Sequence, residues 1–417
     1  MSDLLIQGGC RLQGEMPLQG AKNSVLPILA ATVLVDGPCR LHGCPQLSDV
    51  DAMLEILQHL GCTVQREGER ITVDASALCR CDVPWQYMRR LRCSVVFLGA
   101  LTARCGQADL AYPGGCDLGT RPIDYHLSVL RRMGVSVFEE GGHIVCRIKG
   151  KPGGTCLPLA FPSVGATETA ILLSVLAQGV TTVIQAAREP EIADLCRFLQ
   201  CCGARIRQTE DGRLEIEGVP RLNGCSFHVM PDRIAAVTYL AAAAVTGGDI
   251  CLRGACPRHL EAVLPLFEQA GCHLQAFADR ICLQAPERLQ CLPTVRTMPY
   301  PGFPSDAGPL FMAMACHSHG SGVFIETVFE NRYRCVSQLR RMGADIEVDG
   351  RVAVVHGVQQ LQAAEVVCTD LRGGAALLLA ALCAQGTTRL TDTHHLDRGY
   401  QTPELFLQQL GAKIERS

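Results

Sequence analysis

ILLSVLAQGVTTVI, residues 171–184, changes character at Gly179. Before the glycine, Ala and Leu dominate and favour a helix; a glycine just past the end of that run suits a left-handed helix terminus. After it, Val-Thr-Thr-Val-Ile is β-branched and reads as a strand. The same change recurs in ILAATVLVDGPCRL at 28–41, YLAAAAVTGGDICL at 239–252 and LLLAALCAQGTTRL at 377–390. A second signature, x-Gly-small-x-apolar after a helix-like tail, appears as LGCTV, MGVSV, CGARI, AGCHL, MGADI and LGAKI. Its glycines are Gly61, Gly134, Gly203, Gly271, Gly343 and Gly411, spaced by 73, 69, 68, 72 and 68 residues.

Each repeat therefore reads as β-α-β-α-β-β over about 70 residues, too long for a solenoid repeat and short for an independent domain. Six of them, grouped three plus three, predict two similar α/β domains. The Ala-rich helices are apolar nearly all round, so they belong inside, with sheets around them. The opening stretch DLLIQGGCRLQGEMPL is expected to complete the last unit, which stops abruptly at LGAKIERS. One domain then covers 22–230 and the other joins 1–21 to 231–417, with the crossing at Pro231-Asp232.

Composition narrows the class. Over 417 residues, 48% are apolar, 19% are charged and the formal net charge is −3, which fits a compact chain and excludes a disordered one. Near neutrality argues against coating nucleic acid or a membrane surface. No signal-peptide pattern opens the chain and no apolar run approaches about 18 residues, so a cytoplasmic protein without membrane insertion is expected. The 24 cysteines include no C-x-x-C pair and sit mostly in apolar runs, so they read as reduced core filler.

A few residues stand apart. Cys116 lies in YPGGCDLGTRP at 112–122, a glycine- and proline-rich loop where Arg121 favours its thiolate. Lys22 in Gly20-Ala21-Lys22-Asn23-Ser24 stands at a helix start, with Asn23 or Ser24 as the expected cap. A cation there is unfavourable unless an anion binds, which points to phosphate or carboxylate. Arg92, Arg372 and Arg398 follow turn signals, and their planar forks suit a small polyanion. Asp306 in FPSD is either an N-cap or a carboxylate acting as a base. Neither GxGxxG, GxxxxGK[ST] nor HExxH occurs, so no dinucleotide, P-loop or metal site is expected.

GAKNSVLPILAA, YPGGCDLGTRPIDYHL, AAREPEI, VMPDRIAA, FPSDAGPL, ETVFENRY, TDLRGG and HLDRGY follow one another in this order. Together they resemble the enolpyruvyl transferases of peptidoglycan synthesis, over essentially the whole chain. The resemblance implies an inside-out α/β barrel of two domains, each with three folding units, in agreement with the repeats. It implies transfer of the enolpyruvyl group of phosphoenolpyruvate to the 3′-hydroxyl of UDP-N-acetylglucosamine with release of phosphate, without cofactor or metal. Cys116 then matches the general acid toward the methylene carbon, and Asp306 the carboxylate that takes the hydroxyl proton. Lys22, Asn23, Arg92, Arg121, Arg372 and Arg398 match positions around phosphoenolpyruvate, with Lys22 and Arg398 among the catalytic set. Asn23, Arg92, Arg121, Pro122, Ile123, Asp124, Tyr125, Ser163, Val164, Gly165, Asp306 and Val328 match the nucleotide-sugar contacts.

One departure is visible. Where relatives carry a basic residue before Ser-Val-Gly, this chain has Phe161-Pro162, which bears on a uridine-side contact and not on the chemistry. A cysteine in the loop also implies sensitivity to the epoxide antibiotic fosfomycin. Three rivals are weighed. The sister shikimate-pathway transferase lacks the PGGC loop. An RNA-end-processing enzyme of similar units calls for a basic face. A retired paralogue acting as a binding or regulatory protein is disfavoured by the intact Cys116, Asp306 and arginines.

Overall fold

The computed structural model describes residues 3–113 and 123–417. Residues 3–19 with 231–417 make one compact unit, and 20–113 with 123–230 make the other, each with its own continuous core. In the first unit the three central helices are Arg233–Val245, Gly308–Cys316 and Leu371–Cys383, and Leu371 alone in them escapes full burial. In the second they are Lys22–Ala31, Phe97–Cys105 and Val164–Ser174. Helices apolar on every side are stable only when covered on every side, so the sheets lie outside them. Aromatic packing locks one core: Phe311 has Phe267 at 5.0 Å and Phe303 edge-on at 5.2 Å between ring centroids. Deleting a ring so placed costs about 3–5 kcal/mol.

One repeat shows the unit plainly. Strand Cys156–Pro158 runs parallel to Val180–Ile184, and the Val164–Ser174 helix makes the crossover. The Pro190–Cys201 helix follows, and then Arg205–Gln208 pairs antiparallel with Leu214–Glu217, which pairs with Val180–Ile184. Six such four-stranded sheets are present among the described residues, with one small two-stranded pair.

Gly179 does not cap its helix, contrary to expectation: the helix stops at Ser174, and Gly179 turns the chain into the strand with φ 86°. The spaced glycines are the true caps. Gly203 has φ 102°, donates to Gln200 O at 2.9 Å, and Ala204 donates to Leu199 O at 2.9 Å. That pair of bonds is a Schellman closure, which needs a left-handed residue and a small apolar one after it. The other five repeats close in the same way, for example Gly61 to Gln58 and Cys62 to Leu57.

The chain ends are used differently from the sequence reading. Leu4–Gln7 does enter the last sheet, antiparallel to Thr387–Thr391 and Lys413–Arg416. Gln13–Pro17 instead runs parallel to Asp249–Arg253, supplying the leading strand of the unit that begins at Arg233. Ser226–His228 does the same for the repeat that begins at Lys22, parallel to Cys39–His42. A second correction concerns the thiols: Cys251 and Cys282, opposite each other in an antiparallel pair, are joined by a disulfide. Directly opposed residues on adjacent strands bring their side chains together, which sequence separation hides. Of the 21 described free cysteines, eleven are buried, and burial pushes thiols such as Cys44 and Cys62 up to about 12. No helix among the described residues is long and apolar enough to cross a membrane.

Candidate active site

Asp306 sits in the single 3-10 turn Ser305–Ala307 that opens the Gly308–Cys316 helix. It is not that helix's N-cap. Its Oδ1 accepts from Nη2 of Arg332, and its Oδ2 accepts from Nη2 of Arg372 at 3.2 Å. Burial pushes the carboxyl up, but the guanidiniums of Arg372 and Arg332 override it and hold Asp306 well below the usual carboxylate range. Arg332 is itself fixed: its Nε donates to Ser305 O and Oγ at 3.1 Å each, and it lies 4.7 Å over the Phe329 ring. Ser305 Oγ donates to Glu326 Oε2 at 2.8 Å, while Glu326 Oε1 takes the N–H groups of Val328 and Phe329 at 2.7 and 3.0 Å. The segment 326–332 is therefore a hydrogen-bonded brace that presents one buried arginine to one carboxylate.

Arg372 is positioned by its own helix. Asp370 caps Leu371–Cys383 by accepting from the N–H groups of Arg372 and Gly373, both at 3.0 Å. Its Nη1 donates to the Tyr400 hydroxyl at 2.9 Å, which lies 2.8 Å from Thr238 Oγ1. Its buried Nε has no hydrogen-bond partner among the described residues, so a donor on a buried cation is available to an anion. Asp232 caps the Arg233–Val245 helix in the same manner, through Ile234 and Ala235 at 2.8 and 2.9 Å. Arg233 adds a third positive charge acting on Asp306. Arg398 is half-buried at the end of the turn Thr393–Arg398, two residues before Tyr400.

The other unit carries a separate set. Lys22 is the first residue of its helix, whose N-cap is Ala21 and has no side-chain bond. Ser24 is not a cap: its hydroxyl donates to Asp194 Oδ2, an oxygen that also takes the Met230 N–H at 3.1 Å. Buried Asp49 lies 2.5 Å from Lys22 Nζ, so the chain supplies a counter-charge to the cation at this positive helix end. Asn23 is exposed and Arg92 half-buried. His126 is pushed down to about 4 by burial and then by the charge of Arg92, and its Nδ1 lies 2.7 Å from Thr169 Oγ1. A Cβ on Gly165 would stand 2.7 Å from the His126 ring, so glycine permits the approach. That contact sets the start of the Asp124–Arg132 helix, which includes Tyr125 and follows Ile123, beside the start of Val164–Ser174. Ser163 caps the latter through Ala166 N at 3.4 Å. Two adjacent helix N-termini make a surface suited to phosphate. Nearby Glu168 is pushed up to about 8 by burial, and then by the charges of Glu191 and Glu189.

Of the residues expected from sequence, Asp306 and Arg372 meet directly in one unit, with Val328 on the brace. Ile123–Tyr125 and Ser163–Gly165 meet in the other. Cys116, Arg121 and Pro122 lie outside the described residues. Arg332, Arg233, Tyr400, Asp49 and His126 were missed. Arg332 was within reach, since it falls in the ETVFENRY stretch; Asp49 lies on the Ser48–His59 helix and belongs to no motif. Among the described residues, no group of three or more His, Cys, Asp or Glu side chains is placed to hold a metal ion.

The EPSP synthase (3-phosphoshikimate 1-carboxyvinyltransferase) family matches residues 6–414. UDP-N-acetylglucosamine 1-carboxyvinyltransferase 2 of Caldanaerobacter subterraneus subsp. tengcongensis is 44% identical over 419 residues, covering 100% of both chains. The UDP-N-acetylglucosamine 1-carboxyvinyltransferase of Dichelobacter nodosus is 44% identical over 417 residues, covering 100% of this chain and 99% of its own. Among solved structures, the enolpyruvyl transferase NikO from Streptomyces tendae superposes with a TM-score of 0.90 at 27% identity, covering 100% and 99% of the two chains. EPSP synthase from Acinetobacter baumannii superposes at 0.76 with 18% identity over 100% of both, a likeness of fold.

Proposed function

Because this chain belongs to the EPSP synthase family, we infer that it is an enolpyruvyl transferase acting on UDP-N-acetylglucosamine. It moves the enolpyruvyl group of phosphoenolpyruvate to the sugar 3′-hydroxyl and releases phosphate, the first committed step of peptidoglycan precursor synthesis. The observation that carries the acceptor is full-length identity with relatives of that name. We place the reaction in the cytoplasm, with 22–230 as one transferase domain and 1–21 plus 231–417 as the other.

The residues divide the work by chemistry. Protonating the methylene carbon leaves C2 oxocarbenium-like, so an acid and a hydroxyl acceptor are both required. Cys116 is assigned the proton donation. Lys22, Asn23, Arg92, Arg121, Arg372 and Arg398 are assigned the phosphate and carboxylate of phosphoenolpyruvate, where fixed cations stabilise the departing phosphate. The nucleotide sugar is assigned to Asn23, Arg92, Arg121 to Tyr125, Ser163 to Gly165, Asp306 and Val328. Asp306 is a weak base while two guanidiniums hold it. The hydroxyl becomes strongly acidic as its oxygen bonds to C2, and a substrate anion on Arg372 loosens that arginine's hold. A weak base so placed is therefore sufficient.

The test is phosphate release from phosphoenolpyruvate with UDP-N-acetylglucosamine, and in parallel with shikimate 3-phosphate. Release with the nucleotide sugar alone is expected. Release only with shikimate 3-phosphate assigns the sister reaction, and silence with both favours a retired binding protein. Full activity of Cys116→Ala would overturn the acid role.

A further inference from the structure

We propose that Cys202 and Cys225 are a peroxide-oxidised pair, in which Cys225 is the sulfur oxidised first and Cys202 closes the disulfide. The two Sγ atoms are 3.4 Å apart, against about 2.05 Å for a disulfide, so a small side-chain rotation closes the gap. Three thiols converge here. Cys39 opens the strand Cys39–His42, Cys202 is the C-cap of the Pro190–Cys201 helix, and Cys225 immediately precedes the strand Ser226–His228. Backbone bonds hold the pair in place: Arg40 N, next to Cys39, donates to Cys225 O at 2.8 Å, and Asn223 N to Cys202 O at 2.8 Å. Cys39 and Cys202 are buried, at 0% and 1% exposure, whereas Cys225 is half-exposed and reachable from solvent.

The three thiols do not share a proton equally. Hydrogen bonds from Cys202 and then Cys39 hold the Cys225 thiol low, and the same contacts leave Cys202 raised. The solvent-reachable sulfur is thus the one that ionises, and ionised thiols are the nucleophiles. The Cys225 thiolate attacks one peroxide oxygen; the S–O bond forms, the O–O bond breaks, and hydroxide leaves and is protonated to water. Cys202 then attacks the sulfur of the resulting sulfenic acid. The S–S bond forms, the S–O bond breaks, and hydroxide leaves with the Cys202 proton as a second water. In sum, two thiols and hydrogen peroxide give one disulfide and two waters. The link ties the end of the Pro190–Cys201 helix to a strand whose chain leaves its unit after Met230.

The experiment treats Cys201→Ser protein with hydrogen peroxide, blocks free thiols, and maps tryptic peptides. That background removes the neighbouring cysteine, so peptides 198–205 and 222–233 each hold one. A linked peptide two hydrogens lighter than their sum is expected, and it disappears with dithiothreitol. In Cys201→Ser/Cys202→Ser protein, with an unchanged melting temperature as proof of folding, dimedone should capture a Cys225 sulfenic acid at least fivefold more than when Cys202 is present. Cys225 remaining fully alkylatable after peroxide, or linked to Cys39, overturns the proposal.

Discussion

Two central helix starts in each unit are built from opposite materials. In residues 231–417, Asp232 and Asp370 each take two backbone N–H groups, and the functional arginines follow one and two positions later. In residues 20–230, Ala21 offers no side-chain cap and Ser163 makes one bond of 3.4 Å. An Asp cap satisfies the helix end and cancels its positive field, which frees the next arginine from that field and turns it toward Asp306. A weak cap leaves donors and field for a phosphate from outside the chain. The first unit satisfies these two helix starts with its own carboxylates; the second leaves backbone donors at its two, with Asp49 balancing Lys22 at one of them.

The largest test of that contrast is Asp306. Replacing it with Ala leaves Arg332 and Arg372 buried without their shared carboxylate, a loss of about 3–5 kcal/mol by thermal or urea unfolding. Asp306→Asn keeps shape and part of the hydrogen bonding. It should lower kcat by about 100-fold or more with a smaller change in KM, measured by phosphate release. A rise in KM alone would mean that Asp306 only binds.

Arg332→Met probes the same balance at one remove. Asp306 has a depressed folded pKa, so its stabilisation is present above about pH 4, its unfolded value, and is lost as pH falls through the folded value. Removing Arg332 lifts the folded value toward the unfolded one and shrinks that acid-side dependence. The acid limb of kcat against pH should move upward, and kcat should fall about tenfold. An unmoved limb would assign Arg332 to packing over Phe329 alone.

The six spaced glycines were legible because each Schellman closure makes one local demand, a left-handed residue followed by a small apolar one, and Cys62 and Cys272 meet it as well as Ala204. The candidate residues Asp306 and Arg372 were legible as a charge after a turn signal. Arg332 was not, because its role depends on Ser305 and Glu326, and no period relates three separate loops. The first-helix cap was misread for a related reason: Ser24 is a good cap by type, but buried Asp194 on another helix claims its hydroxyl. The strand Gln13–Pro17 went to the right unit but the wrong repeat, because a short strand carries no mark of its partner.

Glu168 shows how the second unit treats a negative charge that no cation among the described residues pairs. Burial raises its folded value to about 8, above the unfolded value of about 4.3, so the native state holds the extra proton between them. Stability then falls as pH rises through that window, by up to about 1.4 kcal/mol per pH unit. Glu168→Gln, which copies the protonated form, should flatten the dependence between pH 5 and 8 in urea unfolding and leave stability below about pH 4 unchanged. An equal slope in both proteins would show that Glu168 does not hold the extra proton.

Ser163→Ala gives the smallest expected effect and separates the two kinds of helix start. Its single long bond makes the cap worth about 0.5 kcal/mol, at the low end for such residues. If the Val164–Ser174 start serves a phosphate, loss of the hydroxyl should raise the KM for UDP-N-acetylglucosamine several-fold and leave the KM for phosphoenolpyruvate unchanged. The paired measurement is Asp370→Ala, which removes two bonds of 3.0 Å and should cost about 1–2 kcal/mol. That loss should act on kcat through Arg372, not on nucleotide binding. If both variants move the same kinetic constant, the helix starts of the two units are not specialised, and the contrast in their caps is one of stability alone.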